Sequence, residues 1–344
     1  MSHSTVPRSR SEAETTQQNP GASEGAPGPG ARPPAARLSL RHRFRRDRVL
    51  LLMTLPAVVL LLLFNYVPIL GNVVAFQDYD PYISDNGVVS MLHSLWVGGE
   101  NFERIFEDSA FWQAVRNTLV LFFLQLVLFF PVPVLLALLI NSVVRPRVRA
   151  VAQAVLYLPH FFSWVLVIAV FQQMFGGAGM LSQLLRENGY DGLDIMTNPD
   201  TFPFLLTAQS VWKDAGWGII VFLAALASVS PDLYEAAAMD GAGRWRRMWH
   251  VTLPALRPVI ALLLVLRVGD ALTVGFEQIL LQRDAVGPGA AEVLDTFVWW
   301  NGVRNQDFGY AAAAGLVKGV ISIGLVLAAN KVAHLMGEQG VYKK

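Results

Sequence analysis

Six ionisable side chains stand inside long apolar stretches of this sequence: Lys213, Asp214, Arg267, Asp270, Glu277 and Lys318. Charges in such surroundings are costly unless they pair or face water. One account is ion pairing that orients helices, and Arg267 with Asp270, spaced i, i+3, would suit a pair on one helical face. The other is a polar, water-filled path lined by hydrogen-bonding groups. Trp212, Trp217, Phe276 and Gln278 lie close by in sequence and add flat aromatic faces and an amide. On the second account the path residues are Trp212, Lys213, Trp217, Asp270, Phe276, Glu277 and Gln278. Gly216 and Gly218 follow Lys213 and Asp214 at once, which suggests local unwinding there, as in the broken helices near transport sites. His160, beside Pro159, reads as structural.

Bond-making chemistry finds no residues to support it. The chain has no cysteine, which removes thiol nucleophiles, disulfides and cysteine-ligated metals. No Gly-Lys pair exists to start a phosphate-cradling loop, and neither a zincin-type His pair nor a Ser elbow is present. Gly241-Ala242-Gly243 resembles the opening of a dinucleotide fingerprint, but no strand precedes it and Arg-rich sequence follows, so it reads as a bend. The expectation is no catalytic residue, no metal, no cofactor bound by this chain, and no enzyme.

The elements that would position these residues follow from composition. Of 344 residues, 53% are hydrophobic and 15% charged, and mean hydropathy is +0.42. The formal net charge of +1 gives no global field to attract nucleic acid. Apolar runs long enough to cross a ~30 Å hydrocarbon core are expected at 49–71, 111–141, 154–175, 204–228, 258–281 and 310–335. Pro56, Pro68, Pro131, Pro133 and Pro159 interrupt them and should bend them. Arg residues crowd 37–48, 145–149 and 244–257 and are sparse in the alternate loops, so the positive-inside rule places both termini in the cytoplasm. Residues 1–38 are polar and rich in Pro and Gly, and are expected to be disordered. A basic segment and first spanning helix occupy 39–72. An external segment follows at 73–110, where Phe102, Ile105 and Phe106 suit a short helix lying at the membrane surface between Trp96 and Trp112. A core of five further helices fills 111–335, with a cytoplasmic loop at 229–257, and a tail closes the chain at 336–344. The fold class is all-α and polytopic.

The loop at 229–257 is the most informative segment. Ser230 can cap a helix whose first position is Pro231. Asp232 and Glu235 suit its first turn. Ala236 to Ala238 leave the backbone nearly bare, so that another surface can approach. Gly241 and Gly243 allow a sharp turn, a second helix is expected from Arg244 to His250, and Pro254 and Pro258 punctuate the return to the membrane.

Glu235-Ala236-Ala237, a Gly six residues after the Glu, and Leu253-Pro254 twelve residues after that Gly resemble the loop through which binding-protein-dependent ABC permeases engage their ATPases. Val251 stands where that pattern usually carries Ile. The resemblance implies a docking helix through Asp240, a bend at Gly241, and a type I importer fold, with Glu235, Ala236, Ala237, Asp240, Gly241, Leu253 and Pro254 as the coupling residues. A narrower resemblance rests on Tyr66-Val67-Pro68-Ile69, Arg116-Asn117-Thr118-Leu119, Tyr157-Leu158-Pro159-His160-Phe161, Trp212-Lys213 and Phe276-Glu277-Gln278. These are similar to the carbohydrate permeases related to aldouronate, polygalacturonan and lipoprotein-type permeases. Arg267 and Asp270 depart from that group, where uncharged residues are expected. The resemblance implies a bacterial plasma-membrane heterodimer with a second, homologous permease, an ATPase dimer that hydrolyses ATP, and an extracellular lipid-anchored sugar-binding protein, all among membrane lipids. Rival readings are the same machine with a non-sugar cargo such as peptide, an ion-driven secondary transporter, and a membrane receptor.

Overall fold

The computed structural model describes residues 48–335. The expected disordered tail, most of the N-terminal Arg cluster and the 336–344 tail lie outside the described residues. The chain divides into two units after Leu63. The first holds helix α1 (Arg48–Leu61), on which every side chain from Leu52 to Leu61 is exposed. A helix apolar on all sides is suited to lipid.

The second unit carries the remaining elements. A turn-rich segment contains a two-stranded antiparallel ladder, β1 (Gln77–Asp78) with β2 (Leu95–Trp96), in which Gln77 faces Trp96, and helix α2 (Gly87–His93) sits between them. Helix α3 (Glu100–Glu107) leads into α4 (Ser109–Leu124) and α5 (Pro131–Asn141). Then come α6 (Pro146–Tyr157), α7 (Trp164–Phe175), α8 (Met180–Glu187) and the unbroken α9 (Phe202–Ala227). The loop segment gives α10 (Pro231–Met239) and α11 (Arg244–Arg247), and α12 (Leu253–Gly269) follows. Four short helices, α13 (Phe276–Leu280), α14 (Arg283–Val286), α15 (Pro288–Ala291) and α16 (Leu294–Trp299), precede the final α17 (Phe308–Leu335). Among the described residues six stretches are long and apolar enough to cross a membrane: Leu52–Phe76, Ser109–Ser142, Trp164–Glu187, Phe202–Ala227, Arg244–Gly269 and Phe308–Val332.

Three of these spans contain a π turn, and each ends two residues before a proline: Leu62–Tyr66 before Pro68, Gln125–Phe129 before Pro131, and Met248–Thr252 before Pro254. A proline removes one N–H and crowds the carbonyl four residues back. The wider turn carries one extra residue and re-pairs the ladder, so the helix passes the proline without breaking.

Buried side chains form three clusters. Ile105, Phe111, Ala114, Phe297, Tyr310 and Ala313 join α3, α4, α16 and α17. Leu206, Val274, Ile279 and Val293 belong to a second. Val134, Ala137, Ile140, Ile219, Phe222 and Leu256 join α5, α9 and α12. Close approach in the third depends on glycine. A Cβ at Gly216 would stand 1.8 Å from the Leu156 carbonyl oxygen, and one at Gly218 would stand 2.8 Å from Pro133 Cγ.

Several expectations are corrected here. The helix does not unwind at Gly216 and Gly218; those glycines serve contact with α6 and α5 inside a continuous α9. The break lies in the fifth span instead, whose helix stops at Gly269 rather than reaching residue 281. Glu277 therefore sits on α13 and not at the outer end of that span. At its other end the fifth span is longer than expected, because the helix from Arg244 runs through Pro254 and Pro258 without interruption. The run at 154–175 is divided by a 3-10 turn at Leu158–Phe161, since Pro159 cannot continue the α ladder. The helix expected at 102–106 forms as α3, and one face of it packs against the core. Ile105 is fully buried against the core, and Asn101 Nδ2 donates to the carbonyls of Ala75 and Gln77 at 3.1 and 3.0 Å.

Candidate functional site: the α10–α11 loop and the polar cluster in the spans

The α10 helix begins as its residues dictate. Ser230 Oγ accepts from the Asp232 N–H at 3.3 Å, with Pro231 at the first helical position. It ends in a Schellman motif. The Ala242 N–H reaches back to the Ala237 carbonyl at 2.9 Å and the Gly241 N–H to Ala238 at 3.0 Å, with Gly241 at φ +73°. That left-handed backbone turns the chain toward α11 and strains any residue with a Cβ. Tyr234 Oη and Thr252 Oγ1 lie 3.2 Å apart, tying α10 to the base of the fifth span, and Thr252 Oγ1 donates to the Arg247 carbonyl at 3.4 Å. A cavity of ≈ 290 Å³ remains in the crook, lined by Ala237, Asp240, Ala242, Arg246, Arg247, His250 and Val251.

The loop's outer surface is bare. Glu235, Ala236, Asp240 and Gly241 are exposed, Ala237 is half-buried, and Leu253 and Pro254 are partly buried where the loop rejoins the span. Met239, Trp245 and Trp249 are 89%, 74% and 58% exposed. Large apolar side chains gathered on an ordered loop mark a surface that something else covers.

The second region lies within the spans. Lys213 is 7% exposed. Its Nζ donates to the His160 carbonyl at 2.7 Å, lies 3.8 Å from Asp214 Oδ1 and sits 5.5 Å from the Trp164 ring. His160 Nδ1 lies 2.9 Å from Asp214 Oδ1, and its ring stacks on Trp217 at 4.6 Å. Trp212, partly exposed, meets Phe171 edge-on at 5.9 Å and stacks near Phe162 at 6.4 Å. The 3-10 turn around Pro159 presents both the His160 carbonyl and its ring to α9.

Arg267 does not pair with Asp270. Its Nη2 donates to Gln125 Oε1 in the π turn of the second span, and its guanidinium lies 5.7 Å from the Phe129 ring. Asp270 caps the end of α12 and is exposed, as is Glu277 on α13, while Phe276 is partly buried. Gln278 is 1% exposed. Its Nε2 donates to Gln209 Oε1 at 2.7 Å and to the Leu206 carbonyl at 3.0 Å, and Gln282 Nε2 donates to Gln209 Oε1 at 3.1 Å. Gln278 thus belongs to a buried amide network with Gln209 and Gln282. Lys318 pairs with Asp295. Arg283 pairs with Glu292 at 2.5 Å and lies 3.7 Å from the Trp300 ring.

Two groups therefore emerge from the expected path residues. Lys213 and Trp217 converge around His160, with Trp212 on the next turn, and Gln278 stands apart. Sequence reading missed Trp164, Gln125, Gln209 and Gln282 as polar or aromatic partners. Glutamines inside apolar runs carry the same signal as charges there, a polar group that needs a partner at membrane depth.

This geometry coincides with a shared ancestry. The family model described as "Binding-protein-dependent transport system inner membrane component" matches residues 129–335. The polygalacturonan/rhamnogalacturonan transport system permease protein YteP of Bacillus subtilis is 43% identical over 298 residues, covering 86% of this chain and 91% of the relative. Protein LplB of the same organism is 39% identical over 306 residues, covering 89% and 94%. A solved bacterial alginate ABC transporter, in complex with an alginate pentasaccharide-bound periplasmic protein, contains a chain that aligns with TM-score 0.79 and 35% identity. The alignment covers 88% of this chain and 99% of that one. With a family match over most of its length and relatives of this similarity, the chain belongs to the family of binding-protein-dependent transport system inner membrane components.

Proposed function

We propose that this chain forms half of the substrate path of an ATP-driven oligosaccharide importer and takes its energy from separate ATPase subunits through the α10–α11 loop. The observation that carries the reading is the loop itself. It is capped at both ends and outwardly bare, and it continues without a break into the span that ends at Gly269. ATPase closure would press on Glu235, Ala236, Ala237, Asp240 and Gly241, with Leu253 and Pro254 passing the movement into the fifth span. The chain contributes no ATPase of its own, and ATP is consumed by its partners.

The Arg-rich loops support both termini in the cytoplasm of a bacterial plasma membrane. The complex would pair this chain with a homologous permease, an ABC ATPase dimer and an extracellular lipid-anchored sugar-binding protein. The names of its relatives and the aromatic and polar lining support an oligosaccharide cargo. Trp212, Trp217 and Lys213 would line the path from α9, and Asp270, Phe276 and Glu277 from the break after α12, with Gln278 holding α13 against α9.

Uptake into proteoliposomes holding the complete complex tests this. Wild type should import an oligosaccharide only when ATP is present, and Gly241→Pro should abolish import while the complex still assembles. Import that proceeds without ATPase subunits, or a Gly241→Pro complex that imports normally, would hand the chain to the ion-driven class.

A further inference from the structure

The cations Lys213, Lys318 and Arg267 lie within the spans, Arg267 close to the end of its own, and they are not treated alike. Lys213 has Asp214 and a carbonyl, and Lys318 has Asp295. Among the described residues Arg267 has no carboxylate within ion-pair distance. Its hydrogen-bond partner is the neutral amide of Gln125, and its Nε is buried without an acceptor. Depth is fixed by the surroundings. The partner of Arg267, Gln125, lies midway along the Ser109–Ser142 span. Asp214 is already engaged by His160 and Lys213. Asp270 is exposed and lies beyond the end of α12.

The backbone beside Arg267 is also unusual. The fifth span stops being helical at Gly269, and regular helix resumes only at Phe276, after Gly275 at φ +54°. Irregular backbone at membrane depth is tolerated where protein buries it or where it lines a water-filled cavity, and here Ala271, Leu272 and Val274 are buried while Asp270 and Thr273 are exposed. An arginine lacking a carboxylate at the lip of such a break is a cation that awaits an anion: a planar fork suited to a carboxylate.

We infer that Arg267 reads the carboxylate of an acidic, uronate-containing oligosaccharide as it passes the break after α12. The inference rests on the importer reading and narrows its substrate class.

The test uses the complete complex in proteoliposomes with two matched probes, trigalacturonate and its carboxyl-reduced, neutral counterpart. In Arg267→Gln the ratio of trigalacturonate to neutral uptake should fall about 30-fold or more, the scale of removing one partner of a desolvated charge pair. Arg267→Lys should recover part of that ratio, and it carries the test if the Gln variant does not assemble. If wild type imports only trigalacturonate, the reading is KM: a rise in Arg267→Gln that Arg267→Lys partly reverses supports the inference, and a fall in kcat alone overturns it. Equal losses for both sugars, or no loss for trigalacturonate, also overturn it and leave the importer reading standing. A wild type that imports neither sugar with ATP removes the oligosaccharide reading together with this one.

Discussion

The α10–α11 loop and the polar cluster around His160 and Arg267 are built by opposite means. The loop is local. Its start, stop and bend are set by Ser230, Pro231 and Gly241, with hydrogen bonds that mostly reach five residues or fewer. The cluster is assembled from distant parts of the chain, with Gln125, His160, Asp214 and Arg267 contributed by different helices. A locally coded element keeps its shape while its surroundings move, which suits a part that is pushed. An assembled cluster changes its pairing whenever its helices shift, which suits a part that must respond.

Breaking the assembled region should give the largest effect. Gly216→Val would drive a side chain into the Leu156 carbonyl, and the backbone there cannot yield as a flexible side chain would. We expect a loss of about 3 kcal/mol or more, read as a lower Tm of the purified complex and poor recovery after extraction. A Tm within a degree of wild type would mean that α9 and α6 do not meet there. A middle-sized effect is expected from Asp214→Asn, which weakens the links to His160 and Lys213 but keeps the shape. A loss of about 1–2 kcal/mol should come with altered Trp217 fluorescence, since His160 stacks on that ring. Unchanged emission would refute the stacked arrangement. The smallest effect should fall on the local region. Tyr234→Phe removes one hydrogen bond to Thr252, at about 0.5–1.5 kcal/mol, and should leave Tm nearly unchanged while reducing uptake per ATP hydrolysed. If Tyr234→Phe instead destabilises as much as Gly216→Val, the loop is not locally built and the contrast fails.

The same division decides how much could be read from the sequence. The cap at Ser230, the proline start and the Gly241 bend were legible because each rests on one residue's conformational preference. Spans were legible because apolar runs need no partner to declare themselves. Pairings were not. Arg267 and Asp270 have ion-pair spacing only if the helix continues beyond Gly269, and it does not. Gly216 and Gly218 were read as loosening a helix, whereas their missing side chains let two neighbouring elements close on it. Glycine in a helix admits either outcome, and only the packing partner chooses between them.

The wide turn at Met248–Thr252 carries a mechanical consequence. From Arg247 to Arg267 the span forms a single rod of twenty steps between residues, about 30 Å at 1.5 Å each, with one compliant joint near its driven end. A stiff rod delivers thrust without losing stroke, and the π turn, held in place by Pro254, is the point at which it can flex. A short push on the loop would then arrive at the guanidinium with little lost on the way, and one helix could serve as a piston.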